Sequence, residues 1–495
     1  MIREVLTRKR LVCVFGLIAL SLAFCVKVQA VQQNTGRPNV LFIAIDDLND
    51  WTQVLDPQAP IRTPNIDRLA KRGVLFKRAY CASAACNPSR TSILTGLRPT
   101  TSGVYGNKAD WRKVLPDTAT LPQHFMAHGY RAEGAGKIFH HHYGGAFHDK
   151  ASFDEFLMMP DPPDAPMPEN KLNGLAKYGS RNTDWGSWPA NEADALDVRT
   201  ANFAIRSLNK IHDKPFFLAA GIFRPHMPFF APQKYFDMYP RRDVAMPKVF
   251  DDDLDDLPSG AKTLLKPKEW FFKKLMEIEA KSPGTWKEAV RAYQASATFA
   301  DAQVGRILDA LDNSDYANNT IIVLWSDHGY HLGEKEHWEK FALWEKTNHV
   351  PFIIVAPGIT RSGIHCESPV SLIDIYPTLI DICGLKQKQE LDGVSLVPLL
   401  KNPNAAWDRP AIMTYMRGNH AVRDRRWRYI RYADGTEELY DYGNDPQEWH
   451  NLAGDPANAG VINRLKRWLP TTEAPPAPNM KRSRQTAGNY HTHPE

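Results

Sequence analysis

The chain has 495 residues, a formal charge of +5, and 43% apolar and 24% charged residues. That is an ordinary globular composition, too long for one small core, and it calls for one large domain with a smaller companion. Arg3, Arg8, Lys9, Arg10 and Lys27, less Glu4, put about +4 of the charge into the first thirty residues, and the near-neutral remainder excludes the basic footprint of a nucleic-acid-binding protein.

Residues 1–30 read as an export signal. Arg3 to Arg10 is the basic start, Leu11 to Val26 the apolar run, and Val28-Gln29-Ala30 a small-residue cleavage site. An uncleaved anchor is the alternative, but the run is short for a membrane span. Leu22-Ala23-Phe24-Cys25 resembles a lipoprotein box only faintly, because Phe24 is too large. The signal predicts a secreted or periplasmic protein with no stable membrane insertion once it is cleaved. Cys13 and Cys25 leave with it. Cys81, Cys86, Cys366 and Cys383 remain, too few for a disulfide scaffold. Cys81 reads as a small buried apolar residue, and a Cys366–Cys383 bridge stays open.

Asn39 to Ile45, Pro215 to Ala220, Thr320 to Trp325 and Pro351 to Val355 are apolar runs without alternation, as expected of strands buried on both faces of a parallel sheet. Between them lie helical patterns. Ala297, Ala300, Val304, Ile307, Leu308 and Leu311 make one apolar stripe. Strands alternating with helices predict an α/β domain over 31–384. Two stretches, about 144–197 and 228–268, are rich in Pro and Asp and read as insertions on the functional face. The acidic run Asp251 to Asp256 reads as a solvated loop rather than a metal site. Trp111, Trp185, Trp188 and Arg224 suit a polar saccharide, although Trp and Arg in loops are often just packing. After Gly384 the texture changes. Arg423 to Tyr432, with a turn at Asp434-Gly435, predicts an antiparallel hairpin, and Val461 to Leu469 a closing helix, in a subdomain over 385–470. The polar, Pro-rich tail 471–495 is expected to be disordered.

Asp46-Asp47 directly follow the first buried strand, where ligands gather in open α/β sheets. Two adjacent carboxylates there repel unless a cation neutralises them, although a turn with a helix cap would also use them. Asp327-His328 bears the same relation to the strand ending at Trp325. Three carboxylates and one imidazole favour Ca²⁺ or Mg²⁺ over zinc. His140-His141-His142 cannot all face one metal. In Cys86-Asn87-Pro88-Ser89-Arg90-Thr91-Ser92-Ile93-Leu94-Thr95-Gly96, Pro88 suits a first helical turn and Gly96 a stop. That sets Cys86 at a helix N-terminus, which favours an anion, with Arg90 one turn on.

These segments resemble the type I sulfatases of the alkaline phosphatase superfamily almost end to end. The blocks are Asn39 to Asp47, Thr63 to Ala70, Cys86 to Pro99, Gly136 to His140, Arg224 to Pro228, Ser326 to Gly329, Leu332 to Glu334 with Trp338 and Lys340, and Glu438 to Asp441 with Asp445 to Glu448, Asn451 and Leu452. Asp327-His328 and Gly136-Lys137-Ile138-Phe139-His140 resemble the iduronate-2-sulfatase branch. The resemblance implies a large, mixed, mostly parallel sheet sandwiched by helices, with a smaller C-terminal α+β subdomain on an antiparallel sheet.

It also implies chemistry. Cys86 would be oxidised to formylglycine by a separate formylglycine-generating or sulfatase-maturating enzyme, then hydrated. Asp46, Asp47, Asp327, His328 and modified Cys86 would hold Ca²⁺. Arg90 would support the hydrated aldehyde, Lys137 and Lys340 would bind sulfate oxygens, His226 would protonate the leaving alcohol, and His140 would help break down the covalent sulfated intermediate. A plain Ser would lack the second hydroxyl that expels sulfate. The substrate implied is a sulfated saccharide, at branch level a 2-sulfated uronic acid. Phosphonate monoester or phosphodiester hydrolysis in the same superfamily is the alternative. A non-catalytic glycan-binding relative would have lost its nucleophile or ligands, and none is missing here.

Overall fold

The computed structural model describes residues 36–140, 147–159 and 167–480. The export segment, His141, His142 and the chain beyond Met480 lie outside the described residues. Among the described residues no helix is long and apolar enough to cross a membrane.

A sheet of eight strands forms the centre: β1 (Asn39–Asp46), β2 (Val74–Phe76), β3 (Arg131–Gly136), β4 (Glu155–Leu157), β5 (Phe216–Pro225), β6 (Thr320–Ser326), β7 (Phe352–Val355) and β8 (Ile364–Cys366). Their order is β8-β2-β7-β6-β1-β5-β3-β4. β1 lies between β5 and β6, parallel to both, and β7 alone runs against its neighbours.

The covering helices are α1 (Pro64–Ala70), α2 (Cys86–Thr95), α3 (Leu121–Ala127), α4 (Leu196–Leu208), α5 (Ser259–Glu279), α6 (Thr285–Asp312) and α7 (Ile375–Ile382). Leu41, Ile43 and Ile45 of β1 face the layer of α1, α4, α5 and α6. Val40, Phe42 and Ala44 face the layer of α2, α3 and α7. Apolar demand on both faces is why these strands read as unbroken apolar runs. The stripe on α6 is wholly buried, and each larger aliphatic there contributes about 1.5–3 kcal/mol.

The C-terminal region builds an antiparallel meander of β9 (Ala411–Thr414), β10 (His420–Arg423), β11 (Trp427–Arg431) and β12 (Glu437–Asp441). Ile462 and Leu465 of α8 (Ala459–Lys466) pack on Val422, Tyr429 and Leu439. A buried ion cluster ties this sheet to the body. Glu345 accepts from Arg423 Nε at 3.1 Å, from Arg428 and from Tyr80 Oη at 2.8 Å.

Several expectations are corrected. The tail is ordered as far as Met480: Ala474, Ala477 and Met480 donate their N–H groups to the carbonyls of Thr100, Gly103 and Lys108 at 2.7–2.8 Å. Proline content prevents helix and strand there but not docking along another segment. The stretch 144–197 contributes β4 to the sheet edge, a strand too short to show a period. The second insertion holds the start of α5, whose Ala261 packs beside Tyr432 and Tyr440 of the C-terminal sheet. Its acidic run is not merely solvated, because Asp253 is buried against Lys335 Nζ at 2.7 Å. The bridge that the sequence left open between Cys366 and Cys383 is not formed, both being free thiols: the Cys366 thiol donates to Pro403 O.

Candidate active site

The carboxyl ends of β1 and β6 sit side by side because those strands pair in register from Asn39–Thr320 to Ile45–Ser326. Asp46, Asp47, Asp327 and His328 therefore emerge together, all buried. α2 starts at Cys86, after extended Ala85, and stops at Gly96, whose φ of 75° is left-handed. It points its N-terminal amides at the same place.

Arg90 clasps the two strand ends. Its Nε donates to Asp327 Oδ2 at 2.8 Å and its Nη2 to Asp46 Oδ1 at 3.0 Å, with both partners fully buried. Its Nη1 donates to the carbonyls of Lys137 and Ile138. Lys137 donates to Asp46 and lies 3.6 Å from Cys86 Sγ. Lys340 Nζ lies 2.9 and 3.0 Å from the Asp47 oxygens and 3.3 Å from Cys86 Sγ. His328 Nε2 is 3.3 Å from the same sulfur, and His140 is near enough to help lower the Cys86 thiol. His226, partly exposed, has Nε2 at 4.0 Å from Asp47. Its Nδ1 donates to Met227 O, so Nε2 is the nitrogen free to exchange a proton with the site.

Asp46, Asp47 and Asp327 thus face Arg90, Lys137 and Lys340 within one buried cluster. Burial would raise the Cys86 thiol, but Lys137, Lys340, His328 and His140 together hold it well below its ordinary value. The spot it occupies is selective for an anion. Burial would also raise Asp46, yet Lys137, His226 and Arg90 keep it well below the carboxylate range. Asp327 is pushed up to about 7 by burial, opposed by Arg90 and assisted by the Asp46 charge.

The residues fit a hard dication. Ligand atoms of Asp46, Cys86, Asp327 and His328 all lie within 4.8 Å of one another; two of the four are carboxylate oxygens, and the Asp47 carboxylate lies 3.4 Å from His328 Nε2. His328 Nδ1 donates to Gly329 O at 3.0 Å, which leaves Nε2 facing the cluster, as a metal-ligating imidazole requires. Burial opposes charging of this ring, but Asp327, Cys86 and Asp47 raise its pKa to about 9. A dication would take that proton's place.

The segment that delivers Lys340 is strained. Lys335, Glu336, Glu339 and Phe341 have φ of 50°, 46°, 87° and 77°, and Asp47 has 62°. Left-handed backbone costs an L-residue about 1–2 kcal/mol, and such strain gathers where a side chain must be aimed.

The Sulfatase family model matches residues 38–385, and the model for the N-sulphoglucosamine sulphohydrolase C-terminal region matches 333–474. The chain belongs to the sulfatase family. It is 40% identical over 464 residues to a sulfatase of Formosa agariphila, covering 90% of this chain and 88% of that one. It is 27% identical to mouse iduronate 2-sulfatase, covering 90% and 96%. A phosphonate monoester hydrolase from Silicibacter pomeroyi shares the fold, with a TM-score of 0.71 at 23% identity over 87% of this chain and 94% of that one. The alkaline-phosphatase-like fold therefore leaves the ester open, while the family makes this sulfatase an enzyme that hydrolyses sulfate esters.

Not every expected residue joins the site. In this sulfatase Trp111 stacks on Phe139 with centroids 5.5 Å apart and is 1% exposed. Trp185 is buried, and Arg224 bonds to the carbonyls of Phe230 and His226. They are packing, not a sugar surface; Trp188 is half-buried. Conversely, sequence reasoning passed over Tyr293. From α6 its hydroxyl donates to Asp47 O at 2.7 Å and accepts from Asn49 N–H at 2.9 Å, holding the strained turn. A tyrosine in a helical stripe carries no signal of that duty. Asn107, whose Oδ1 accepts the N–H of Asn87 at 3.0 Å, was equally silent.

Proposed function

We propose that this sulfatase removes sulfate from a sulfated carbohydrate, with a 2-sulfated uronic acid as the leading candidate, after Cys86 has been oxidised to formylglycine by a maturating enzyme. The observation that carries the reading is the convergence of Lys137, Lys340 and His328 on the Cys86 sulfur. In oxidised and hydrated form, residue 86 supplies the hydroxyl nucleophile. Asp46, Asp47, Asp327, His328 and modified residue 86 would hold Ca²⁺, which offsets negative charge on the sulfate oxygens.

The chain's own residues do the rest. Lys137 and Lys340 bind sulfate oxygens and stabilise the charge that gathers on them as the ester bond breaks. Arg90 keeps Asp46 and Asp327 aimed and supports the hydrated aldehyde. His226 gives a proton to the leaving alcohol from Nε2, and His140 takes one from residue 86 as sulfate departs; imidazoles suit both transfers near neutral pH. Similarity to an iduronate 2-sulfatase supports the uronate substrate. The basic and apolar pattern of residues 1–30 supports export to the periplasm or outside the cell.

The test joins two measurements: mass spectrometry of the peptide carrying Cys86, and turnover of defined sulfated mono- and disaccharides against matched phosphodiesters. Aldehyde at residue 86 with preferred cleavage of a sulfated uronate is expected. An unmodified thiol in fully active enzyme, or a strong phosphodiester preference, overturns the proposal.

A further inference from the structure

Beside the cluster lies a cavity of about 790 Å³, in the size range that encloses a small organic ligand. Its walls come from residues 103–109, the start of α5, Phe341, the C-terminal sheet region around Tyr415 and tail residues Pro476, Ala477 and Asn479. Two wall residues touch the machinery. Asn107 accepts the N–H of the residue after Cys86. Phe341 follows Lys340, and its own N–H donates to Ala84 O at 3.0 Å.

Asp434 also lines the cavity, its carboxylate oxygens accepting from the Ser259 and Thr436 hydroxyls; the rest of the inner surface that bears on binding has two parts. Phe341 and Tyr415 have ring centroids 5.7 Å apart, tilted by 39°, with Phe341 buried behind the half-buried Tyr415. Lys268 lies over Phe341 at 4.5 Å and 3.3 Å from Glu339; its charge is already offset, and it positions the ring. Lys108 differs. It lines the cavity and is half-buried, and among the described residues no carboxylate lies within ion-pair distance of it. Its backbone is held by the tail, where Met480 N–H donates to Lys108 O at 2.8 Å. The tail in turn crosses Gly103 so closely that a Cβ there would sit 2.3 Å from Pro475 O.

We propose that this cavity is the subsite for the sugar bearing the sulfate: a ring rests against Tyr415, which Phe341 backs, and a second anionic group, carboxylate or sulfate, pairs with Lys108. This rests on the carbohydrate reading above and assigns the tail 471–480 a role as a wall of the site. Aromatic faces suit the apolar face of a sugar ring. A lining lysine with no carboxylate partner among the described residues discriminates for charge.

The experiment uses full-length enzyme with Cys86 oxidised. It compares kcat/KM for matched sulfated saccharides carrying a carboxylate, a second sulfate, or the carboxyl reduced to an alcohol, with 4-nitrophenyl sulfate as the sugar-free reference. Preference for an anionic sugar over the alcohol of at least about tenfold is expected. It should shrink to about twofold or less in Lys108→Met, survive in Lys108→Arg, and show which anion is read. Tyr415→Leu should raise KM for the saccharides more than for 4-nitrophenyl sulfate. An unchanged preference in Lys108→Met, or none in the parent enzyme, overturns the subsite. Cleavage of 4-nitrophenyl sulfate but of no sulfated saccharide overturns the carbohydrate reading itself.

Discussion

Lys340 and Asp47 form a buried pair, with Nζ 2.9 and 3.0 Å from the two carboxylate oxygens, and the same ammonium reaches Cys86 Sγ at 3.3 Å. One side chain therefore joins a strand end to a helix N-terminus. Burial opposes its charge, but Asp47, Cys86 and Asp46 hold its pKa well above the ordinary lysine value, so it stays cationic at any working pH. Replacing it with methionine should lower kcat/KM by about 10²–10³-fold. In metal-free protein it should also cost about 3 kcal/mol, because Asp47 loses its partner. Steady-state kinetics and denaturant melts check both; wild-type turnover in Lys340→Met would remove this residue from the mechanism.

Cys86→Ser should fold and stay inactive. The side chain is nearly isosteric and its surroundings are polar, so Tm should shift by no more than a few degrees. Turnover should vanish, since serine lacks the second hydroxyl of a hydrated aldehyde. Expression without a maturating enzyme should give the same phenotype with the wild-type sequence. Thermal melts and a sulfate-release assay distinguish loss of chemistry from loss of fold.

Gly221→Ala tests the fit behind Lys137. Gly221 pairs with Gly136 across β5 and β3, and a Cβ at Gly221 would meet the Lys137 backbone at 2.3–2.6 Å. That backbone cannot give way without moving an ammonium that touches both Asp46 and Cys86. The substitution should cost about 1–3 kcal/mol and lower kcat more than Tm alone would explain.

Chelation should abolish turnover and lower Tm, with both restored by added Ca²⁺. A cation bound only by the folded state stabilises it by mass action. Turnover untouched by a chelator would refute the metal assignment.

Acid should weaken the fold through His124, on α3 and outside the catalytic cluster. Its ring stacks on His128 with centroids 4.5 Å apart and meets the edge of Tyr376. Burial, with the neighbouring His128 and Lys388 charges, lowers its pKa from 6.5 to about 4. In that window the unfolded chain binds a proton that the native ring refuses, so stability is present above pH 6.5 and is lost as pH falls toward 4. Melting temperatures from pH 7 to 4 should fall less steeply in His124→Phe than in the parent.

The sequence alone determined the α/β class, because doubly buried strands show as unbroken apolar runs and the α6 stripe has helical spacing. It also marked Asp46, Asp47, Asp327 and Cys86 as candidates, because strand ends and helix starts have local signatures. Other features needed the tertiary structure. Arg90 bonds to Asp46 and Asp327 across 44 and 237 residues of chain, Tyr293 reaches Asp47 from another layer, and the three-residue β4 is too short for any period. Only folding brings the tail from Thr471 to Met480 against residues 100–110 and makes a cavity wall from a segment whose composition reads as disorder. Its backbone pairs with residues hundreds of positions away, and contacts of that kind leave no local pattern in the chain that makes them.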